Sequence, residues 1–196
     1  MSATLDILSV LNVLRAAKKG NIYLSGGIAD PVLQISCTGQ IVIKSIKSGA
    51  HVTAVYNSLV STSITVQADA GTEITISGRV TDLNCGLDIS NCYITDNRYL
   101  QTLRLRFSME HCYLNNCRAL TDLYWGNTYD LTDVSVSNCP QITNIFINNS
   151  CNEVAQVVIG IIQDNAANHG TVSMMNTDAY YTDVQNAAIA NGWTVI

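Results

Sequence analysis

The chain has 196 residues, enough to bury a hydrophobic core as one domain without the help of disulfides. Hydrophobic residues make up 47% of the sequence and charged residues only 13%, a composition typical of globular rather than disordered chains. The formal net charge of -5 leaves no basic surface of the kind that nucleic acids require, so no nucleic-acid partner is expected.

Residues 1–20 predict an amphipathic helix that ends at Gly20. Its apolar stripe is formed by Leu5, Leu8, Leu11 (or Val10) and Leu14. The positive charges of a secretory signal come before its apolar run, whereas here they follow it, so we expect a chain kept in the cytoplasm. The run is also too short and too interrupted for membrane insertion. The stripe is predicted to cap the repeat region, to dock on a partner or to bundle with copies of itself.

Residues 21–79 form a β-rich region of short stretches dense in β-branched residues, such as "LQISCTG", "IVIKSIKSG" and "HVTAVYN". Alternating apolar positions bounded by Gly, Ser, Asn or Asp predict strands. Ile64 and Ile74 begin similar segments ten residues apart, which predicts that these strands already coil like the repeats that follow.

Residues 80–152 carry an internal repeat. Three units align in register, "LTDLYWGNTYD", "LTDVSVSNCPQ" and "ITNIFINNSCN", and each eleven-residue unit is interpreted as half of a 22-residue coil. One family of half-coils contains "LDISNC", "CYLNNC" and "VSVSNC"; the other contains "LRLRFS", "LYWGNT" and "IFINNS". Each is a short strand with two inward apolar residues, so the pattern predicts two parallel β-faces around a core. An Asn at each corner is expected to bond the backbone of a neighbouring coil.

Residues 153–196 predict an α/β cap with the order helix, strand, helix, strand. A capping box from Ser150 to Glu153 starts the first helix, and His169-Gly170 closes it. The strand "TVSMM" follows, then a helix that ends at Asn191-Gly192, then the strand "WTVI".

Chemical motifs are scarce in this sequence. The seven cysteines are an odd number without a CxxC pair, which favours buried thiols in a reducing compartment over disulfides or zinc. The three histidines are isolated, and Asp122, Asp130 and Asp133 lack the spacing of a calcium loop. We therefore predict a protein that is not an enzyme and has no cofactor and no metal.

The segment "LTDVSVSNCPQITNIFINN" resembles the LxxLxLxxN/C leucine-rich repeats, and in particular the short-period "LTxLxVSxC" variety of gut Bacteroidetes and of the crAss-like phages that infect them. "NAAIANGWTVI" is similar to the "AAxxxGWTV" ending of such chains, and "AGTEITISGRVTDLNC" to their lead-in. The resemblance implies a mainly β fold, namely a leucine-rich-repeat-like parallel β-solenoid with an N-terminal helix and an α/β C-terminal cap.

The same resemblance implies a scaffold for recognition without catalysis. Cellular surface members carry a secretion signal, whereas the N-terminal segment of this sequence does not have the pattern of one. The expected function is therefore a virion subunit: a head fibre, a capsid decoration or a tail-fibre-associated protein. Its expected partners are other virion proteins, copies of itself in a homo-oligomer such as a trimer, and a host surface polysaccharide or protein. The alternatives are a bacterial surface or secreted adhesin and an intracellular protein-binding adaptor.

Arg104, Tyr124 and Phe146 are the candidate binding residues, because they stand between the inward residues of one half-coil family and face outward together. A cation stacked with two aromatic rings suits contact with a carbohydrate, a peptide or another subunit. The alternatives are that flanking chain covers this column or that it is merely exposed. The opposite face offers a less distinctive column of Asp88, Tyr113 and Ser135.

Overall fold

The computed structural model describes residues 20–86, 88–106, 109–126, 133–148, 152–175 and 179–196. The protein is mainly β, as predicted: the described residues form thirteen strands of one large, open, mixed sheet and two α-helices. The predicted N-terminal helix, with its stripe of Leu5, Leu8, Leu11 and Leu14, lies outside the described residues.

In chain order the strands are β1 (Ile22–Gly26), β2 (Val32–Lys47), β3 (Ala50–Asn57), β4 (Thr62–Thr65), β5 (Glu73–Asn84), β6 (Ile89–Thr95), β7 (Thr102–Arg106), β8 (His111–Asn115), β9 (Asp122–Gly126), β10 (Asp133–Ser137), β11 (Asn144–Asn148), β12 (Thr171–Met174) and β13 (Thr194–Val195). The helices are α1 (Asn152–Asp164) and α2 (Ala179–Ala190), with a 3₁₀ turn at Ala166–Asn168.

Two parallel ladders dominate the sheet. The first ladder consists of β6, β8 and β10, and the second ladder consists of β5, β7, β9, β11, β12 and β13. From β5 to β11 the chain alternates between them, so each strand pairs with the strand two places on. Strand β1 lies between β5 and β6, antiparallel to both, and joins the ladders into one sheet. The predicted pair of parallel β-faces is therefore present.

The region before the repeats is antiparallel, and the prediction that its strands already coil is wrong. Strand β2 pairs antiparallel with β3, β4 and β5. Ser48 and Gly49, both with positive φ, make a two-residue turn between β2 and β3. Such a turn matches the right-handed twist of a hairpin, so local antiparallel pairing outcompetes a parallel crossover here.

The coil is not a uniform 22 residues long. Leu103 and Leu123 are register partners twenty residues apart, whereas Leu123 and Ile145 are twenty-two apart. In the first ladder Cys92 pairs with Cys112, so "CYITDN" aligns with "CYLNNC". The predicted alignment of "LDISNC" with "CYLNNC" and "VSVSNC" is therefore wrong.

Left-handed corners explain this register. Asp96, Asn116 and Asn138 follow β6, β8 and β10, and all three have φ between 52° and 56°. Asn and Asp tolerate this conformation better than other residues with a side chain. The Asp96 amide donates to the carbonyl of Asn115 on the neighbouring strand at 3.0 Å. The corner side chains bond other side chains, as in Asn116 Nδ2 to Asp96 Oδ1 and Asn138 Nδ2 to Asn115 Oδ1, rather than the backbone as predicted.

One hydrophobic cluster includes buried residues of both ladders. The inward residues of the second ladder are Leu83, Leu103, Leu105, Leu123, Trp125, Ile145 and Ile147, and they belong to the same cluster as Cys92, Ile94, Cys112 and Leu114 of the first. The joining strand β1 contributes its own Ile22 and Leu24 to that cluster.

The C-terminal segment has the predicted order of helix, strand, helix and strand. Helix α1 buries Val154, Val158 and Ile162 and packs against β10 and α2. It ends at Asp164, and His169 in a left-handed conformation closes the following 3₁₀ turn. Strands β12 and β13 extend the second ladder.

Candidate binding surface on the second ladder

Three neighbouring strands position the candidate binding residues. Arg104 is the central residue of β7, Tyr124 of β9 and Phe146 of β11, and each lies between two buried inward residues. The register pairs Arg104 with Tyr124 and Tyr124 with Phe146. Because side chains alternate along a strand, all three project from the outer face, and we call them the arginine–aromatic column.

The arginine–aromatic column is in direct contact along its length. Cζ of Arg104 lies 4.7 Å from the centroid of the Tyr124 ring, within the range of a cation–π interaction. The Tyr124 and Phe146 centroids are 5.9 Å apart with their planes tilted by 38°. This separation is typical of favourable aromatic pairs. All three side chains are half-buried, so the column keeps part of its surface open to solvent.

A second outward column runs beside it, two residues further along each strand. Arg106 of β7 pairs with Gly126 of β9, which pairs with Asn148 of β11. Together the two columns surround a shallow depression of about 260 Å³. Its lining consists of Arg104, Leu105, Arg106, Tyr124, Gly126, Phe146 and Asn148. The volume lies below the roughly 300–1,000 Å³ of pockets for drug-sized ligands, so the depression suits one small group.

Arg106, Gly126 and Asn148 were not among the predicted site residues. The alternation "TLRLR" gives Arg106 the same outward direction as Arg104, so its exposure was available from the sequence. The role of Gly126 could not be predicted from the sequence, because only the strand register shows that a residue without a side chain separates Arg106 from Asn148.

Both arginines at this surface lack a carboxylate partner within the described ranges, where the one ion pair joins Lys47 and Asp30 at 2.8 Å. There the hydrogen bond from Lys47, aided by that from the Ala68 amide, lowers the pKa of Asp30. Arg104 and Arg106 therefore present positive charge on a chain whose net charge is -5.

The outer face of the first ladder differs from the prediction. Its central column contains Tyr93, Tyr113 and Ser135 rather than Asp88, Tyr113 and Ser135, because Tyr93 is the register partner of Tyr113. The Tyr93 and Tyr113 rings stack with centroids 5.2 Å apart and planes 7° apart. The Tyr113 hydroxyl donates to the carboxylate of Asp133. This face thus carries a second aromatic pair, which was not predicted because the predicted repeat alignment placed Asp88 rather than Tyr93 beside Tyr113.

The described cysteines are free and buried, as the sequence indicated. Cys92 and Cys112 are register partners, and the hydrogen bond between their thiols together with burial raises the pKa of Cys112. A hydrogen bond with the Cys139 thiol, together with burial, raises the pKa of Cys117. These thiols are protonated at neutral pH and pack as small hydrophobic groups.

The polar residues considered for chemistry are dispersed. His51 is on β3, His111 on β8 and His169 after α1, while Asp122 and Asp133 belong to different ladders and Asp130 lies outside the described residues. Within the ranges that the structure describes, no group of three or more His, Cys, Asp or Glu side chains is placed to hold a metal ion. Nor does any described helix have the length and hydropathy to span a membrane.

No family model matches the sequence, and no curated protein or solved structure matches it significantly.

Proposed function

We propose that the protein is a non-catalytic structural and recognition subunit of a phage virion, and that its contact surface is the arginine–aromatic column of Arg104, Tyr124 and Phe146. The observation that carries the recognition role is the unbroken contact of a guanidinium with two aromatic rings across three strands. Arg and Tyr are enriched among the residues that dominate binding energy at protein interfaces.

The outer face is suited to contact because the core does not depend on it. The inward residues of the same strands are fully buried and supply the packing, whereas the column residues are half-buried. The contact between the Tyr124 and Phe146 rings contributes about 0.5–1.5 kcal/mol. Residues on such a face can therefore serve a partner at small cost to the fold.

The architecture in this proposal is a leucine-rich-repeat-like parallel β-solenoid. In support, the chain alternates strand by strand between two parallel ladders around one core. Residues 1–20 then act as an N-terminal cap or docking helix, and residues 153–196 as the α/β cap. The contact of α1 with β10 supports the second assignment, because an exposed edge strand invites unwanted pairing.

The virion assignment rests on the resemblance of "LTDVSVSNCPQITNIFINN" to the repeats of Bacteroidetes and their phages. In this proposal the chain assembles in the host cytoplasm as a homo-oligomer on a head fibre, a capsid decoration or a tail fibre. Its partners are other virion proteins and a host surface polysaccharide or protein. The adhesin and adaptor alternatives predict recovery in the cell envelope and in soluble complexes, respectively.

Two linked experiments test the proposal. Quantitative mass spectrometry of density-purified particles should find this chain at a fixed ratio to the major shell protein. Recovery only in the cell envelope or in soluble complexes would refute the virion role.

The second experiment is the double variant Tyr124→Ser/Phe146→Ser, which should lose attachment or assembly with a small change in melting temperature. The matched control is Tyr93→Ser/Tyr113→Ser, which removes the stacked ring pair of the other ladder. Equal losses of attachment in both double variants, or normal attachment in the first, would refute the assignment of the surface.

A further inference from the structure

Gly126 forms the floor of the depression beside the arginine–aromatic column. It ends β9, with Arg106 as its register partner on one side and Asn148 on the other. The Tyr124 and Phe146 side chains form the adjacent wall, since they lie two residues away along β9 and β11. A residue with a side chain at position 126 would project outward between Arg106 and Asn148 and fill this space.

Nothing in the described surroundings of Gly126 requires a glycine. A Cβ atom placed there would lie 3.6 Å from the Leu105 carbonyl oxygen and 3.9 Å from Cγ of Arg106, which are ordinary van der Waals distances. Its φ is not positive, unlike that of Gly78, where a Cβ would also lie 2.5 Å from a backbone oxygen. Glycine in a strand is unfavourable by about 0.5–1 kcal/mol relative to alanine and often marks the close approach of a ligand.

The charge of the depression selects an anion. Arg104 and Arg106 project from the same face of β7, and neither has an ion-pair partner among the residues described. A guanidinium presents a planar fork of N–H donors that matches a carboxylate in two-point contact. The Asn148 side chain adds an amide that can donate or accept hydrogen bonds.

The aromatic wall selects the rest of the ligand. Tyr124 and Phe146 offer apolar ring surface beside the two arginines, and the small depression accommodates one ring-sized group. A sugar residue bearing a carboxylate combines both requirements, since its C–H groups contact the aromatic wall while its carboxylate meets the guanidinium groups. The net charge of -5 disfavours a densely charged polyanion such as nucleic acid.

We propose that the Gly126 depression binds a single carboxylate-bearing sugar residue of an acidic polysaccharide, held by Arg104 and Arg106 and packed against Tyr124 and Phe146. This inference rests on the proposed contact surface and narrows its ligand to an acidic carbohydrate. Because the carboxylate is bound at a partly exposed site, affinity falls as salt screens the charges.

The test is calorimetric titration of the full-length protein with short oligomers of a uronic acid. The same oligomers with their carboxylates reduced to alcohols serve as the matched ligand control. Wild-type protein should bind the acidic oligomer, and its affinity should drop at least tenfold for the reduced oligomer. Arg106→Gln and Gly126→Val should each lower the affinity at least tenfold, with melting temperatures near that of the wild type.

Arg79→Gln is the matched protein control. Arg79 also stacks on a tyrosine, with Cζ 5.5 Å from the Tyr99 centroid, but it lies outside the depression. This variant should bind like the wild type. No binding of the acidic oligomer at millimolar concentration, equal binding of the reduced oligomer, or undiminished binding by Gly126→Val would each overturn the inference.

Failure of this inference is distinguishable from failure of the proposed contact surface. If the uronic-acid oligomers do not bind but the Tyr124→Ser/Phe146→Ser variant still loses attachment, the surface stands and its ligand is of another class. If that double variant attaches normally, the contact surface itself is wrong.

Discussion

Replacing Asn97 by alanine should destabilise the protein more than any exposed asparagine substitution would. Asn97 is 1% exposed and sits at the corner after β6. Its Oδ1 accepts from the amides of Tyr99 and Leu100, both at 2.9 Å, and its Nδ2 donates to the carbonyl of Gly20 at 2.9 Å. The Asn97 side chain therefore closes the corner after β6 and fixes the backbone at Gly20, just before β1.

The expected magnitude follows from these three bonds. Leu100 is fully buried, so its amide would lose its partner without gaining water, at about 1–3 kcal/mol. The groups of Tyr99 and Gly20 are closer to solvent and would each lose about 0.5–1 kcal/mol. The sum is about 2–5 kcal/mol, a large share of the roughly 5–15 kcal/mol that stabilises a typical domain.

Urea unfolding followed by tryptophan fluorescence would measure this loss, because Trp125 and Trp193 are buried. Asn57→Ala is the matched control, since Asn57 is exposed at the end of β3 and should change the free energy of unfolding by less than about 0.5 kcal/mol. If Asn97→Ala falls within that same range with an unchanged urea dependence, the corner does not depend on its side chain and the reasoning is refuted.

Two further substitutions test the backbone and the buried thiols. Gly78→Ala should lower the free energy of unfolding by about 3 kcal/mol, because φ is +115° and the new Cβ would lie 2.5 Å from the Gln40 carbonyl oxygen. Gly71→Ala, at φ +74° in open space, should lower it by about 1 kcal/mol. A larger loss for Gly71→Ala than for Gly78→Ala in urea unfolding would contradict this reasoning. The hydrogen bond with Cys92, together with burial, raises the pKa of Cys112 in the folded state. As pH rises, the Cys112 thiol therefore loses its proton in the unfolded state before it does so in the folded state. The free energy of unfolding should consequently fall as pH rises above about 9. Cys112→Ala should show a shallower fall between pH 8 and 10, and an equal or steeper fall would argue against the buried-thiol contribution.

The position of the candidate surface was predictable because it depends on a local rule. Leu103 and Leu105 flank Arg104 in "LRLR", and the same alternation surrounds Tyr124 and Phe146. Period-2 alternation assigns each side chain to one face of a strand without reference to any other strand. Repeats separated by a similar number of residues then brought the three strands side by side, as expected.

The first ladder shows where the sequence was insufficient. Leu87, Ile89 and Asn91 alternate as convincingly as Cys92 and Ile94 do, so two registers satisfied the same pattern. The choice between them comes from the left-handed corner at Asp96, which aligns with Asn116 and Asn138 and places Tyr93 on Tyr113. Register depends on the partner strand, and the observed register places Cys92 rather than Leu87 opposite Cys112, an odd shift of five residues that exchanges the inward and outward faces of the strand.

Local sequence patterns were enough to predict the mainly β character, the two sets of alternating strands, the helix–strand–helix–strand ending and the outward direction of Arg104, Tyr124 and Phe146. Those patterns did not predict that β1 joins the ladders as an antiparallel strand, that β2 pairs antiparallel with β3, β4 and β5, or that Gly126 opens a depression beside Arg106. The reason is physical: alternation is a property of consecutive residues, whereas strand partners and pockets arise from residues tens of positions apart.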